Sequence, residues 1–117
     1  MRAGLAVLVL AGCTSQVADP AAVAVPAYSV SVESWTCKAS SGWVQAAITL
    51  RNTGPAIPFA KVFVSIGDEH ADDYFSPASI PAGAMASAEI SRRSTAQKCN
   101  IVAIQDANGL PVPFTLP

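Results

Sequence analysis

From Trp43 to Arg51 the chain alternates, with Val44, Ala46, Ile48 and Leu50 on one parity and Gln45, Thr49 and Arg51 on the other. A period of two places the two sets on opposite faces of a strand that buries one of them. "RNTGPAIP" (51–58) breaks the pattern with glycine and proline, as turns do. Alternation resumes with Val62, Val64 and Ile66, opposed by Lys61, Phe63 and Ser65. "SIPAGAMASAEISRRS" (79–94) has the alanine, glutamate and arginine content of a helix, with Pro81 at a first turn,. Yet Ala84, Ala86, Ala88 and Ile90 alternate with Met85, Ser87, Glu89 and Ser91, which favours a strand, with Arg92 and Arg93 in the loop beyond it. Asn100 to Asp106 is more uniformly apolar and predicts a central strand. Asn108-Gly109 is a hairpin signal. Pro111 and Pro113 remove alternate donors from the residues after that turn, so the last strand belongs on an edge.

Seven short strands result, over 28–37, 43–51, 60–67, 73–79, 84–91, 98–106 and 110–116. Turn signals at this spacing predict an all-β fold, an antiparallel Ig-like β-sandwich over 28–117. In the first strand Val30 and Val32 have the opposite parity to Trp35 and Cys37. A bulge near Glu33-Ser34 turns both sets inward and lets Trp35 cover Cys37. Trp43 opposes the Val44 face and is the better candidate for an exposed, ligand-binding aromatic, with core or rim packing the plainer alternative.

The first residues read differently. Arg2 precedes the apolar run Leu5–Leu10, which ends in the small Ala11 and Gly12. That run is far shorter than the ~20 residues that span a bilayer and has the form of a secretory signal. Leu10-Ala11-Gly12-Cys13 resembles the lipobox of bacterial lipoproteins. The resemblance implies a signal peptide over 1–12, cleavage before Cys13 and acylation of its thiol, with two or more chains giving a stable membrane anchor. "TSQVADPAAVAVPA" (14–27) is small, polar or proline, too poor in large apolar side chains to form a core, so 13–27 reads as the lipidated N-terminus and a flexible linker.

With Cys13 acylated, Cys37 and Cys99 remain as a pair in an exported, oxidising setting, and a disulfide between them is expected. Closing that loop is worth about 4 kcal/mol in the chain-entropy account. A metal site competes poorly, because there is no Cys-x-x-Cys and His70 is the single histidine. A catalytic cysteine lacks a credible base.

"AAITLRNTGPAIPFAKVFVSI" (46–66) followed by "IPAGAMASAEI" (80–90) is similar to the Ig-like modules of bacterial surface proteins, in particular the FxLYD and CARDB-like groups. Those modules carry a strand, an Asn-x-Gly turn, a second strand and later a Pro-x-Gly turn before another strand. The resemblance implies a binding or interaction module rather than an enzyme.

Half of the residues are hydrophobic, but 22 alanines and the leader account for much of that. From Cys13 onward six Lys and Arg stand against eight Asp and Glu, a formal charge of −2, which argues against nucleic acid or an anionic lipid surface as partner. Asp68, Glu69, Asp72 and Asp73 crowd beside His70 in "GDEHADDYF" (67–75). On a loop, four carboxylates could bind Ca²⁺ through hard oxygen ligands, although the spacing is not that of an EF-hand, and a solvated acidic loop is the plainer alternative. No Gly-x-Ser-x-Gly and no phosphate-binding glycine loop occurs,, so neither catalysis nor a cofactor is expected. The expected protein is a membrane-anchored lipoprotein of the cell envelope, facing the periplasm or exterior, whose sandwich binds an envelope protein or ligand. The alternatives are a structural or envelope-stress component without a discrete ligand, and a Ca²⁺-dependent binder.

Overall fold

A computed structural model describes residues 26–117; the expected signal peptide, Cys13 and the linker as far as residue 25 lie outside them. Seven strands run in order: β1 Val30–Ser40, β2 Trp43–Asn52, β3 Lys61–Ile66, β4 Glu69–Tyr74, β5 Met85–Arg93, β6 Cys99–Gln105 and β7 Phe114–Thr115. They form a four-stranded sheet, β5-β2-β1-β7, and a three-stranded sheet, β4-β3-β6. Every pairing is antiparallel except that of β7 with β1, and no helix occurs among the described residues. The chain therefore forms the expected all-β, Ig-like sandwich. Strands 1, 2 and 5 share one sheet and strands 3 and 6 the other, as in that architecture.

The alternation decides the core. Val44, Ala46, Ile48 and Leu50 of β2 and Ala86, Ala88 and Ile90 of β5 are buried, as are Val62, Val64 and Ile66 of β3. Phe75, Ile80 and Ile104 complete the layer between the sheets. Fully burying one such large side chain is worth about 1.5–3 kcal/mol. The segment 79–94 resolves as a strand, and Arg92 and Arg93 end β5 rather than lying in a loop.

One side of the sandwich forms a seam between β1 and β6. Its lower part is closed by the chain after β6. Asp106 N–H donates to Leu110 O at 3.0 Å and Val112 N–H to Ile104 O at 2.7 Å. Val30 N–H then donates across to Pro113 O at 3.1 Å. Pro111 and Pro113 thus fall at alternate positions turned away from β6, where its ladder needs no donor. The expected strand over 110–116 shrinks to Phe114–Thr115, on the edge as predicted. The upper part of the seam is closed by the Cys37–Cys99 disulfide, whose Cα atoms are 6.0 Å apart. Between the two closures each strand bulges. The β1–β2 register shifts between Val32 and Ser34, and the β3–β6 register shifts where Phe63 pairs with Ala103 but Val64 with Ile101. Glu33 and Val102 are the extra residues, and each reverses the parity of its strand. Val32 and Ile104 below, and Cys37 and Cys99 above, can then all turn inward. This corrects the expectation of a central sixth strand. β6 is an edge strand, and its continuous apolar run serves both parities, leaving Val102 51% exposed.

The fourth strand also differs, running over Glu69–Tyr74 rather than 73–79. Gly67-Asp68 makes a two-residue turn with Gly67 leading at φ 61, an arrangement that suits hairpins. Of β4 only Ala71 is buried, so its edge is lined by charge, which discourages pairing with other chains.

At the lower end Asn52 is fully buried. Its Nδ2 donates to the carbonyls of Pro55 (2.9 Å), Ile80 (3.1 Å) and Pro81 (3.2 Å), and its Oδ1 accepts from Gly54 N–H at 2.9 Å. The Asn-Thr-Gly and Pro-Ala-Gly turns, far apart in sequence, are one hydrogen-bonded unit. Gly54 lies against the incoming chain, where a Cβ would come within 2.9 Å of Ser29 N.

Candidate functional site

The β1–β2 hairpin forms the upper tip. Ser40 pairs with Trp43 across Ser41 and Gly42, which have φ values of 51 and 80. Two residues at positive φ are what a type I′ turn requires, and Asn-Gly is its preferred pair. Trp43 leaves the core by parity and is 47% exposed, as the alternation predicts. Its neighbour across the β2–β5 ladder is Arg93, whose guanidinium carbon lies 5.2 Å from the indole centroid. The segment after β5 turns over the same end. Ser94 N–H donates to Gly42 O at 2.9 Å and Ala96 N–H to Ser94 Oγ at 3.0 Å. Gln97 Nε2 donates to Thr95 O at 3.3 Å. Between hairpin and segment lies an open cleft of about 280 Å³, walled by Trp43, Ser40, Ser41, Ser94, Thr95 and Gln97.

The structure does not gather the acidic residues. Glu69, Asp72 and Asp73 are on β4 and Asp68 is in the turn before it, rather than together on a loop. Alternation sends Asp72 to the face opposite Glu69 and Asp73. Asp72 lies 3.7 Å from Lys61 Nζ, and Asp73 Oδ1 accepts the Tyr74 N–H at 2.8 Å. Among the described residues no three His, Cys, Asp or Glu side chains are placed to hold a metal ion. The expected acidic loop is corrected to a strand, which spreads the carboxylates that a loop could have converged.

A second cleft, of about 210 Å³, lies low on the outer face of the three-stranded sheet, among Phe59, Lys61, Phe63, Tyr74 and Gln105. Sequence reasoning passed over this group. Lys61 Nζ stands 4.7 Å from the Tyr74 ring centroid and 5.9 Å from that of Phe63. With Asp72 as its counter-ion, the ammonium already satisfies the aromatic surface that a ligand would otherwise use.

Sequence reasoning also missed Tyr28 and Asp106, both buried. The Tyr28 hydroxyl donates to Asp106 Oδ2 at 2.9 Å, while Oδ1 accepts the N–H groups of Asn108 (2.8 Å) and Leu110 (2.9 Å). Burial pulls the Asp106 carboxyl upward, but the Leu110 N–H, the Tyr28 hydroxyl and the Asn108 N–H outweigh it and hold it below its ordinary value. Burial, then the bond and charge of Asp106, push the Tyr28 hydroxyl up,. The pair pins the start of the domain to the turn after β6. An aspartate two residues before Asn108-Gly109 was the available signal, since Asp side chains often bond the backbone just ahead of them.

No protein-family model, curated protein or solved structure matches the chain.

Proposed function

We propose that this protein is a lipid-anchored, extracytoplasmic binding module, held through Cys13 and presenting the Trp43 tip. One observation carries the proposal. The chain joins the sandwich at Tyr28, below β1, and Trp43 comes directly after the upper end of that strand. Eleven residues of β1 separate the two by about 35 Å. A tether at one end therefore leaves the tip as the part farthest from the membrane. The lipobox-like Leu10-Ala11-Gly12-Cys13, the small and proline-containing stretch after it and the Cys37–Cys99 bridge all favour export and anchoring,. Fifteen residues, 13–27, can extend to about 50 Å, enough to hold the sandwich clear of the headgroups.

The anchor is tested by metabolic labelling with a palmitate analogue in a lipoprotein-processing host, followed by membrane fractionation. The full chain should incorporate label and sediment with membranes, and Cys13→Ser should do neither. Equal labelling of the two, or none in either, refutes the anchor.

A further inference from the structure

We propose that the cleft at the upper tip is a binding site for a neutral carbohydrate, with the Trp43 indole as its stacking wall. The assignment rests on the tip being the presented surface. Apart from Trp43, the residues lining the cleft are uncharged: Ser40, Ser41, Ser94 and Thr95 bring hydroxyls and Gln97 an amide, beside the small Ala39, Gly42 and Ala96. Hydroxyls and amides both donate and accept, which matches the paired donor–acceptor character of sugar hydroxyls. Sugar C–H faces in turn suit the electron-rich face of an indole. No ionisable side chain lines the cleft, so an anionic or cationic ligand would find no counter-charge in it. Arg93 stacks on Trp43 without lining the cleft, and so braces the indole rather than filling the site. About 280 Å³ is at the low end for small-ligand sites and suits the end of a glycan rather than a large flat cofactor.

Ser41 stands on the cleft wall. It holds φ 51, where a residue other than glycine or asparagine is strained by about 1 kcal/mol. Asparagine or glycine would serve the turn better, yet the position keeps a short hydroxyl on the cleft wall. Phe59, on the wall of the lower cleft, holds φ 47 in the same way, so the choice between the two clefts rests on their lining and not on backbone strain. The lower cleft differs in its lining, which includes the charged Lys61 and Asp106.

The test is calorimetric titration of the purified full chain with neutral trisaccharides of differing linkage: N-acetylglucosamine trimer, cellotriose and maltotriose. Inorganic phosphate serves as the charged probe. At least one trisaccharide should bind saturably, and Trp43→Ala should weaken it by about tenfold or more with the melting temperature unchanged. Thr95→Val, which keeps the indole and removes one hydroxyl, should weaken it severalfold. No saturable heat with any trisaccharide overturns the proposal, as does undiminished affinity in Trp43→Ala. So does binding of phosphate alone, which would make Arg93 the anchor of a different site. The palmitate experiment reads the anchor separately, so the failure of either proposal is distinguishable from that of the other.

Discussion

Asn52→Asp is nearly isosteric, so it leaves no cavity and isolates the hydrogen bonds at the lower end of the sandwich. The amide of Asn52 serves three carbonyls and accepts one N–H in a site without solvent exposure. Exchanging the NH₂ for an oxygen removes both donors and points a charged atom at the carbonyls of Pro55, Ile80 and Pro81. Each buried polar group left unsatisfied costs about 1–3 kcal/mol, so two lost donors cost about 2–6 kcal/mol before the charge is counted. That is a large share of the about 5–15 kcal/mol typical of a domain. The introduced carboxyl also relieves the site by taking up a proton, which restores one donor, so its pKa in the folded state rises above the unfolded value of about 3.9. Between these two values the folded state binds more protons than the unfolded one, and stability falls as pH rises. Urea unfolding of wild type and variant at about pH 7 and about pH 4 should show a large gap at the higher pH and a smaller one at the lower. Reading the difference between the proteins cancels the acid sensitivity of Asp106. If the variant is unfolded at the higher pH, acidification should refold it. A gap under about 0.5 kcal/mol, or one independent of pH, would refute the role assigned to Asn52.

The seam and its surroundings set further outcomes. Replacing Cys37 and Cys99 by alanine should lower the melting temperature by up to about 15–30 °C, from roughly 4 kcal/mol of loop closure at about 4–8 °C per kcal/mol. Hydrogen exchange should speed most in the upper halves of β1 and β6, and uniform acceleration would contradict the seam. Tyr28→Phe should cost about 1.5–3 kcal/mol at neutral pH, the usual worth of a bond to a charged group. Wild type should lose stability above about pH 10, because the raised Tyr28 pKa means that the unfolded state gives up its proton first,; the variant should lack that loss. Conversely, the depressed Asp106 pKa contributes stability above the unfolded carboxylate value of about 3.9, lost as pH falls below it,. Acid unfolding curves should show this contribution shrinking in Tyr28→Phe. Ser41→Asn should stabilise by about 0.5–1 kcal/mol in thermal unfolding, since asparagine tolerates the left-handed backbone.

The alternating strands β2, β3 and β5 were legible because each buries every second residue, and that pattern is local. The bulge at Glu33 was legible for the same reason, since Val30 and Val32 conflict in parity with Trp35 and Cys37. Its counterpart at Val102 was hidden, because a run in which both parities are apolar shows no conflict and resembles a central strand. β4 escaped because one buried alanine among acids carries almost no periodic signal, and the same acids then passed for a loop. Trp43 was legible as exposed from its parity alone. The walls of its cleft were not, since Ser94, Thr95 and Gln97 reach it only through the return of the chain over the tip. Asn52 and Tyr28 lay furthest from view. Asn52 has local partners in Gly54 and Pro55, but Ile80 lies 28 residues on, and Asp106 lies 78 beyond Tyr28; only the assembled fold brings those groups together.

The placement of Tyr28 and the tip at opposite ends of β1 has a mechanical consequence. A pull applied between them runs along one continuous strand, so the load is carried by covalent backbone rather than by the ladders between strands. The β1–β2 pairs lie across the direction of force and are neither sheared nor unzipped in sequence. The Tyr28–Asp106 bond and the disulfide hold the two ends of the strand to the second sheet, so the strand cannot slide out of the sandwich while it is under tension. A load applied at the tip thus has a path along β1 to the start of the domain.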